Sequence, residues 1–149
     1  MSTRPNTHTV IYLADDDEDD RMVFVDAVED LGIPVRVYTS ADGSQLMKLL
    51  HQAQQRLPEI IFLDINMPVK NGFECLEEIR SGNERFTDIK VIMLSTSSNP
   101  SNIQRCFELG ADFYAVKPST YPELKSLLTN VMAIDWSTFV RNKTKFLLW

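Results

Sequence analysis

The chain has 149 residues, 44% of them apolar and 24% charged, which suits one globular domain with a real core and excludes a disordered chain. Its net charge of −6 and pI near 4.9 argue against direct nucleic-acid binding, which needs clustered Lys and Arg. No apolar run approaches the ~20 residues that span a bilayer, the N-terminus has no apolar signal core, and Cys75 and Cys106 lack metal or redox spacing, so no membrane role and a cytoplasmic location with reduced thiols are expected.

Residues 1–9 are polar and read as a flexible leader. Residues 10–14 form an apolar run, the first strand, which ends in the acids Asp15 to Asp20. A first helix follows to Leu31, with Val23, Phe24, Ala27, Val28 and Leu31 at helical spacing. The acids of its first turn suit the positive end of the helix dipole. Gly32 and Pro34 break it. Residues 35–38 alternate, which predicts a second strand nearer an edge. Asp42 or Ser44 caps a second helix lined by Leu46, Leu49, Leu50, Ala53 and Leu57, with Pro58 as its stop. The third strand, residues 60–63, is apolar without a break and runs into Asp64, as expected of a strand buried on both faces. Gly72 closes the loop beyond, and a third helix carries Phe73, Leu76 and Ile79. A polar connection over 81–88 leads to the fourth strand, residues 91–94, which delivers Ser95 and Thr96. Asn99-Pro100 reads as an N-cap with proline at the first helical position. Ile103, Cys106 and Phe107 face inward from this fourth helix, and Gly110 ends it. The fifth strand, residues 113–116, delivers Lys117-Pro118, and Pro122 opens a fifth helix lined by Leu124, Leu127, Leu128, Val131 and Met132.

Strict alternation of five strands and five helices predicts an α/β fold: a doubly wound, five-stranded parallel sheet with helices on both faces, in one domain over residues 10–134. Each strand end brings a distinct polar group to the same edge of that sheet. Asp15 and Asp16 come from the first strand, Asp64 from the third, Ser95 from the fourth and Lys117 from the fifth. With strand order 2-1-3-4-5, three carboxylates crowd together at the point where the order reverses. Two unit charges 4 Å apart repel by about 4 kcal/mol at an effective dielectric of 20, so the cluster needs a counter-charge. An all-oxygen site with room for water suits Mg²⁺. Such an ion and the Lys117 ammonium would stabilise a phosphoryl group arriving on Asp64, an accepted type of covalent phosphoryl acceptor.

These residues resemble a two-component response-regulator receiver domain. The matching pieces are Asp15-Asp16, Asp64-x-x-Met67-Pro68-x-x-x-Gly72, Ser95, Gly110-Ala111-Asp112 and Lys117-Pro118, in the right order over residues 9–132. The resemblance implies a flavodoxin-like (βα)5 fold and a phosphorylation-controlled switch in a His-Asp phosphorelay, not an enzyme acting on an external metabolite. It implies that Asp64 accepts the phosphoryl group from a sensor histidine kinase or a His-containing phosphotransfer protein. Asp16, Asp64 and the backbone carbonyl of Asn66 would bind Mg²⁺ directly, and Asp15 mainly through water. Lys117 would pair with the phosphoryl oxygens, and the Lys117–Pro118 peptide would be cis. Ser95 would turn toward the phosphoryl group, with Tyr114 rotating inward behind it. Signalling would pass through the face made by the fourth helix, fifth strand and fifth helix, which could also form a homodimer.

Thr96 stands where the family commonly has a smaller residue, and Asn66 occupies a position that tunes hydrolysis, so the lifetime of the acyl phosphate is left open. Residues 135–149 form an extension outside the usual pattern, apolar at Phe139, Val140, Phe146, Leu147, Leu148 and Trp149 and basic at Arg141, Lys143 and Lys145. It either packs on its own domain or reaches a second chain. With no further domain beyond it, a stand-alone receiver acting through protein contact is expected. Three rival readings are weaker. A phosphatase with an aspartyl-phosphate intermediate would need a second acid where Asn66 stands. A calcium loop through Asp15, Asp17, Asp19 and Asp26 would need glycine where Asp20 stands. A degenerate receiver would act as a constitutive interaction module.

Overall fold

A computed structural model describes residues 8–54 and 56–148, so most of the expected leader lies outside the described residues. Six strands and five α-helices follow in chain order: β1 (Thr9–Ala14), α1 (Glu18–Leu31), β2 (Val35–Ser40), α2 (Gly43–Gln52), β3 (Ile60–Asp64), α3 (Gly72–Ser81), β4 (Lys90–Ser95), α4 (Pro100–Leu109), β5 (Phe113–Val116), α5 (Tyr121–Met132) and β6 (Leu147–Leu148). All strands are parallel, in the order β2-β1-β3-β4-β5-β6. The flavodoxin-like fold is therefore as expected, with one strand more than the five that alternation predicts.

Strand side chains alternate between two cores. Tyr12, Ala14, Ile61, Leu63 and Met93 join Leu46, Leu50, Leu76 and Cys106 under α2, α3 and α4. Ile11, Leu13, Phe62 and Ile92 join Phe24, Ala27, Leu127 and Val131 under α1 and α5. This is the period of two that a pleated strand imposes, with both faces covered.

The local signals explain most boundaries. Asp17, Asp42, Asn71, Asn99 and Thr120 accept backbone hydrogen bonds as N-caps of the five helices, and Asn71 forms a reciprocal capping box with Glu74. Gly110 ends α4 in the left-handed region, at φ 104°. Gly72 is required for another reason: a Cβ there would lie 2.4 Å from the carbonyl oxygen of Asp64. The turn after β3 can thus fold back tightly, with Gly72 N–H donating to Ile65.

Some expectations need correction. Val23 lies at the margin of the α1 stripe and is 41% exposed. Helix α2 stops at Gln52, well before Pro58, because Ala53 is already extended. The polar connection after α3 hides a short 3₁₀ turn capped by Asn83 that drops Phe86 into the core. The peptide bonds of the described residues are all trans, so Lys117–Pro118 is trans and not cis. Trans is the lower-energy isomer for an X–Pro bond.

The largest addition is the C-terminal extension, which packs on its own domain. Trp136 and Phe139 meet Phe113, with ring centroids 5.9 Å and 5.0 Å away, and the Lys90 ammonium lies over both rings. Arg141 donates to the carbonyls of Ala111 and Phe107 at the end of α4 and lies over the Phe107 ring. Phe146 is buried edge-on against Phe107, 5.2 Å between centroids. Its carbonyl accepts from Tyr114 N–H at 3.0 Å, and β6 then pairs with β5. A short added strand satisfies the open edge that β5 would otherwise present.

Candidate phosphoryl-acceptor site

The carboxyl ends of β1, β3, β4 and β5 meet at one pole of the sheet, as open α/β sheets allow at the point where strand order reverses. Asp15 directly follows β1 and is buried, whereas Asp16 is exposed. Asp64 ends β3 and is buried. One ligand atom from each of Asp15, Asp16 and Asp64 falls within 4.8 Å of the others. Three carboxylates at that separation suit a hard divalent cation with remaining positions for water, so the donor set fits Mg²⁺.

Lys117 reaches back from the end of β5. Its ammonium lies 2.9 Å from Asp15 Oδ2 and 3.1 Å from Asp64 Oδ2. Burial alone would lower the Lys117 pKa, but its hydrogen bonds and attraction to Asp15 and Asp64 outweigh burial and raise it. Burial raises the Asp64 pKa, and repulsion from Asp15 adds to this against the opposing pull of Lys117 and the N–H of Asn66. Burial is the larger influence on Asp64, and the pull of Lys117, whose ammonium also serves Asp15 and Asp20, does not offset it.

Ser95 ends β4, is buried, and accepts from Ser97 N–H at 3.1 Å. Thr96 is exposed and stands beside Asp15 and Lys117 in the wall of one cleft. Tyr114 is buried beneath α4, and its hydroxyl donates to the Ser97 carbonyl at 2.6 Å. Asn66 is exposed, and its N–H donates to Asp64 Oδ1 at 3.2 Å. All the anticipated site residues therefore sit at or behind one pole, Tyr114 already inside.

Two neighbours were not anticipated. Asp20, read only as a helix-end acid, places Oδ2 3.2 Å from the Lys117 ammonium. Asp20 lies in the first turn of α1, three residues after the N-cap Asp17, and residue order alone gave no sign that it would reach a lysine at the end of β5. Val69, in the loop after β3, has φ 70° and is 80% exposed, and Lys70 N–H donates to Pro68 across it. A β-branched residue in that region is strained, and nothing in the residue order announces it.

The response regulator receiver domain family model matches residues 11–129. Among curated relatives, the response regulator Rcp1 of Synechocystis is 30% identical over 139 residues, covering 91% of this chain and 92% of Rcp1. The chain spans only 6% of the peroxide stress-activated histidine kinase mak2 of Schizosaccharomyces pombe, which is also 30% identical, and 46% of the transcriptional regulator ycf27 of Guillardia theta. Among solved structures, the phosphorylated cyanobacterial phytochrome response regulator RcpA superposes with a TM-score of 0.79 at 30% identity, over 90% of this chain and 98% of RcpA. The Mn²⁺-bound form of Rcp1 superposes with a TM-score of 0.75 at 26% identity, over 90% and 99%. Fold, strand-end residues and similarity agree, and the chain belongs to the response regulator receiver domain family.

Proposed function

We propose that this receiver domain is a switch that takes a phosphoryl group on Asp64, with Mg²⁺ held by Asp15, Asp16, Asp64 and the carbonyl of Asn66. The observation that carries the reading is the Asp64 carboxylate, buried yet facing Lys117 at 3.1 Å within a three-carboxylate cluster. Mg²⁺ would neutralise the acids and the phosphoryl oxygens, which is most of what phosphoryl transfer asks of a protein. Lys117, now bonded to Asp64, would pass to a phosphoryl oxygen. The Ser95 hydroxyl would turn to the same group, and Thr96 at the rim would limit water access. The donor would be a sensor histidine kinase or a His-containing phosphotransfer protein.

The output face is α4, β5 and α5. Tyr114 links it to the site through Ser97, two residues beyond Ser95. A phosphoryl group would bias this face because only one conformer offers it the Ser95 hydroxyl. Strand β6 occupies the outer edge of β5, so a partner or a second copy using this face would meet β6 and not a free β5 edge.

The test is intact mass after incubation with acetyl phosphate. One phosphoryl adduct is expected in the wild type with Mg²⁺, and none with EDTA or in Asp64→Asn. Equal adduct formation by Asp64→Asn would move the acceptor elsewhere and end this reading.

A further inference from the structure

We propose that Asp20 selects among phosphoryl donors, favouring nitrogen-linked over oxygen-linked ones, by standing as an extra carboxylate at the entrance of the site. The inference rests on Asp64 as the acceptor and adds a residue that this role does not require.

Asp20 differs from the other acids that hold Lys117. Its side chain is 50% exposed, against 4% for Asp15 and 6% for Asp64. It is nevertheless not a loose surface acid. Its backbone N–H donates to the N-cap Asp17, which fixes it in the first turn of α1, and its carboxylate is bonded to Lys117 from across the fold. Together with Asp15, Thr96, Lys117 and Ser119 it lines a cleft of ≈ 370 Å³ that opens between α1 and α5. Asp20 and Asp64 hold the same ammonium, that of Lys117 in the cleft wall, so a donor in this cleft lies beside Asp20 and next to the acceptor's partner.

The charges decide what that passage favours. Asp15, Asp20 and Asp64 bond one Lys117, Asp16 lies beside Asp15 and Asp64, and a divalent cation would still leave the cluster negative. Arg21 is the nearby cation, and its guanidinium donates to the Asp15 carbonyl at 2.8 Å. The adjacent Asp17, Glu18 and Asp19 more than offset it. An incoming dianion therefore meets repulsion at the rim, whereas a donor with a protonated nitrogen carries a positive group that Asp20 can pair with.

The two transfers differ at the leaving atom. With acetyl phosphate, an Asp64 oxygen bonds to phosphorus as the P–O bond breaks, and acetate leaves with the electron pair. With phosphoramidate, the P–N bond breaks, and the nitrogen, already protonated, leaves with the electron pair as ammonia. The nitrogen's positive charge is present before cleavage and is lost as the electron pair returns to it, so Asp20 acts on the second donor by drawing it into the cleft, whereas it repels both the acetyl phosphate dianion and the negative charge that grows on the departing acetate. A phosphohistidine, protonated on its ring, has the same chemistry as phosphoramidate.

The experiment follows phosphoryl uptake by intact mass in wild type, Asp20→Asn and Asp20→Glu, with Mg²⁺, using acetyl phosphate and phosphoramidate at low and high salt. Asp20→Asn should raise the acetyl phosphate rate relative to the phosphoramidate rate by about threefold or more at low salt. The change should shrink at ~1 M salt, where charges are screened beyond ~3 Å. Asp20→Glu should restore the wild-type ratio. A change in both rates by one factor would mean that Asp20 only positions Lys117 or supports the helix, and would overturn the proposal, as would an unchanged ratio. Failure of the wild type to take phosphate from either donor would remove the Asp64 reading itself. An adduct on wild type with a ratio unmoved by Asp20→Asn would remove only the role of Asp20.

Discussion

Two half-buried cations, Arg80 and Lys117, hold buried aspartates, and they are built differently. Arg80 of α3 lies 3.0 Å from Asp112 and also donates to the carbonyls of Gly110, Phe86 and Ile89. Asp112 in turn accepts from Val91 N–H at 2.9 Å. Neutral backbone groups complete both partners, as a buried pair requires. Lys117 has no such company. Its bonds go to Asp15, Asp20 and Asp64, three acids competing for one ammonium. Burial raises the Asp112 pKa just as it raises that of Asp64, so burial does not separate the two sites. What separates them is the unmatched charge around Lys117. The first pair pins loops together; the second is left with an excess of negative charge.

The largest effect should come from breaking the structural pair. Arg80→Ala leaves Asp112 without its partner and should cost about 4 kcal/mol in urea unfolding. Under folding conditions, its rate of phosphoryl uptake should stay at the wild-type value. A slowed rate in the folded variant would show that the two pairs are coupled.

The tail extends the same structural region, since Arg141 holds the Ala111 carbonyl next to the Gly110 carbonyl that Arg80 holds. Phe146→Ala should cost about 3 kcal/mol, the range for deleting a buried ring. A loss of a few tenths would mean that the extension contributes little to the core.

Asp64→Asn should go the other way. The folded-state pKa of Asp64 is raised, so the folded protein binds this proton more tightly than the unfolded chain does, and stability falls as pH rises between the two values. At neutral pH in EDTA the full penalty is present, and Asp64→Asn should melt higher than wild type. The gain should vanish as pH falls below the ordinary carboxylate range. A variant that melts lower at neutral pH would mean that the Lys117 contact outweighs burial. The smallest effect concerns Val69→Asn, which relieves the strained φ and should gain about 1 kcal/mol.

Much of the fold could be read from residue order because it depends on local rules. Unbroken apolar runs marked β3 and β4, and Asn99-Pro100 marked the start of α4. Phe86 was hidden because one apolar residue in a polar stretch has no period. Val23 was misplaced because helical spacing defines a stripe but not its margin. Asp15, Asp16, Asp64, Ser95 and Lys117 were readable because each lies at or just beyond the end of a strand, and the topology carries strand ends to one pole.

The sequence by itself determined the alternating α/β order, the caps, and the carboxylates and lysine at the strand ends, since these follow from short-range periodicity and turn chemistry. Only the tertiary structure decided that Asp20 reaches Lys117, 97 residues away, that Arg80 reaches the Gly110 carbonyl and Asp112, 30 and 32 residues on, and that residues 147–148 become a sixth strand. A long-range contact depends on where whole elements are packed, and residue spacing carries no record of that. The tail could have paired with another chain on the same apolar pattern. It joins β5 here because Phe146 finds a buried place against Phe107 and Tyr114.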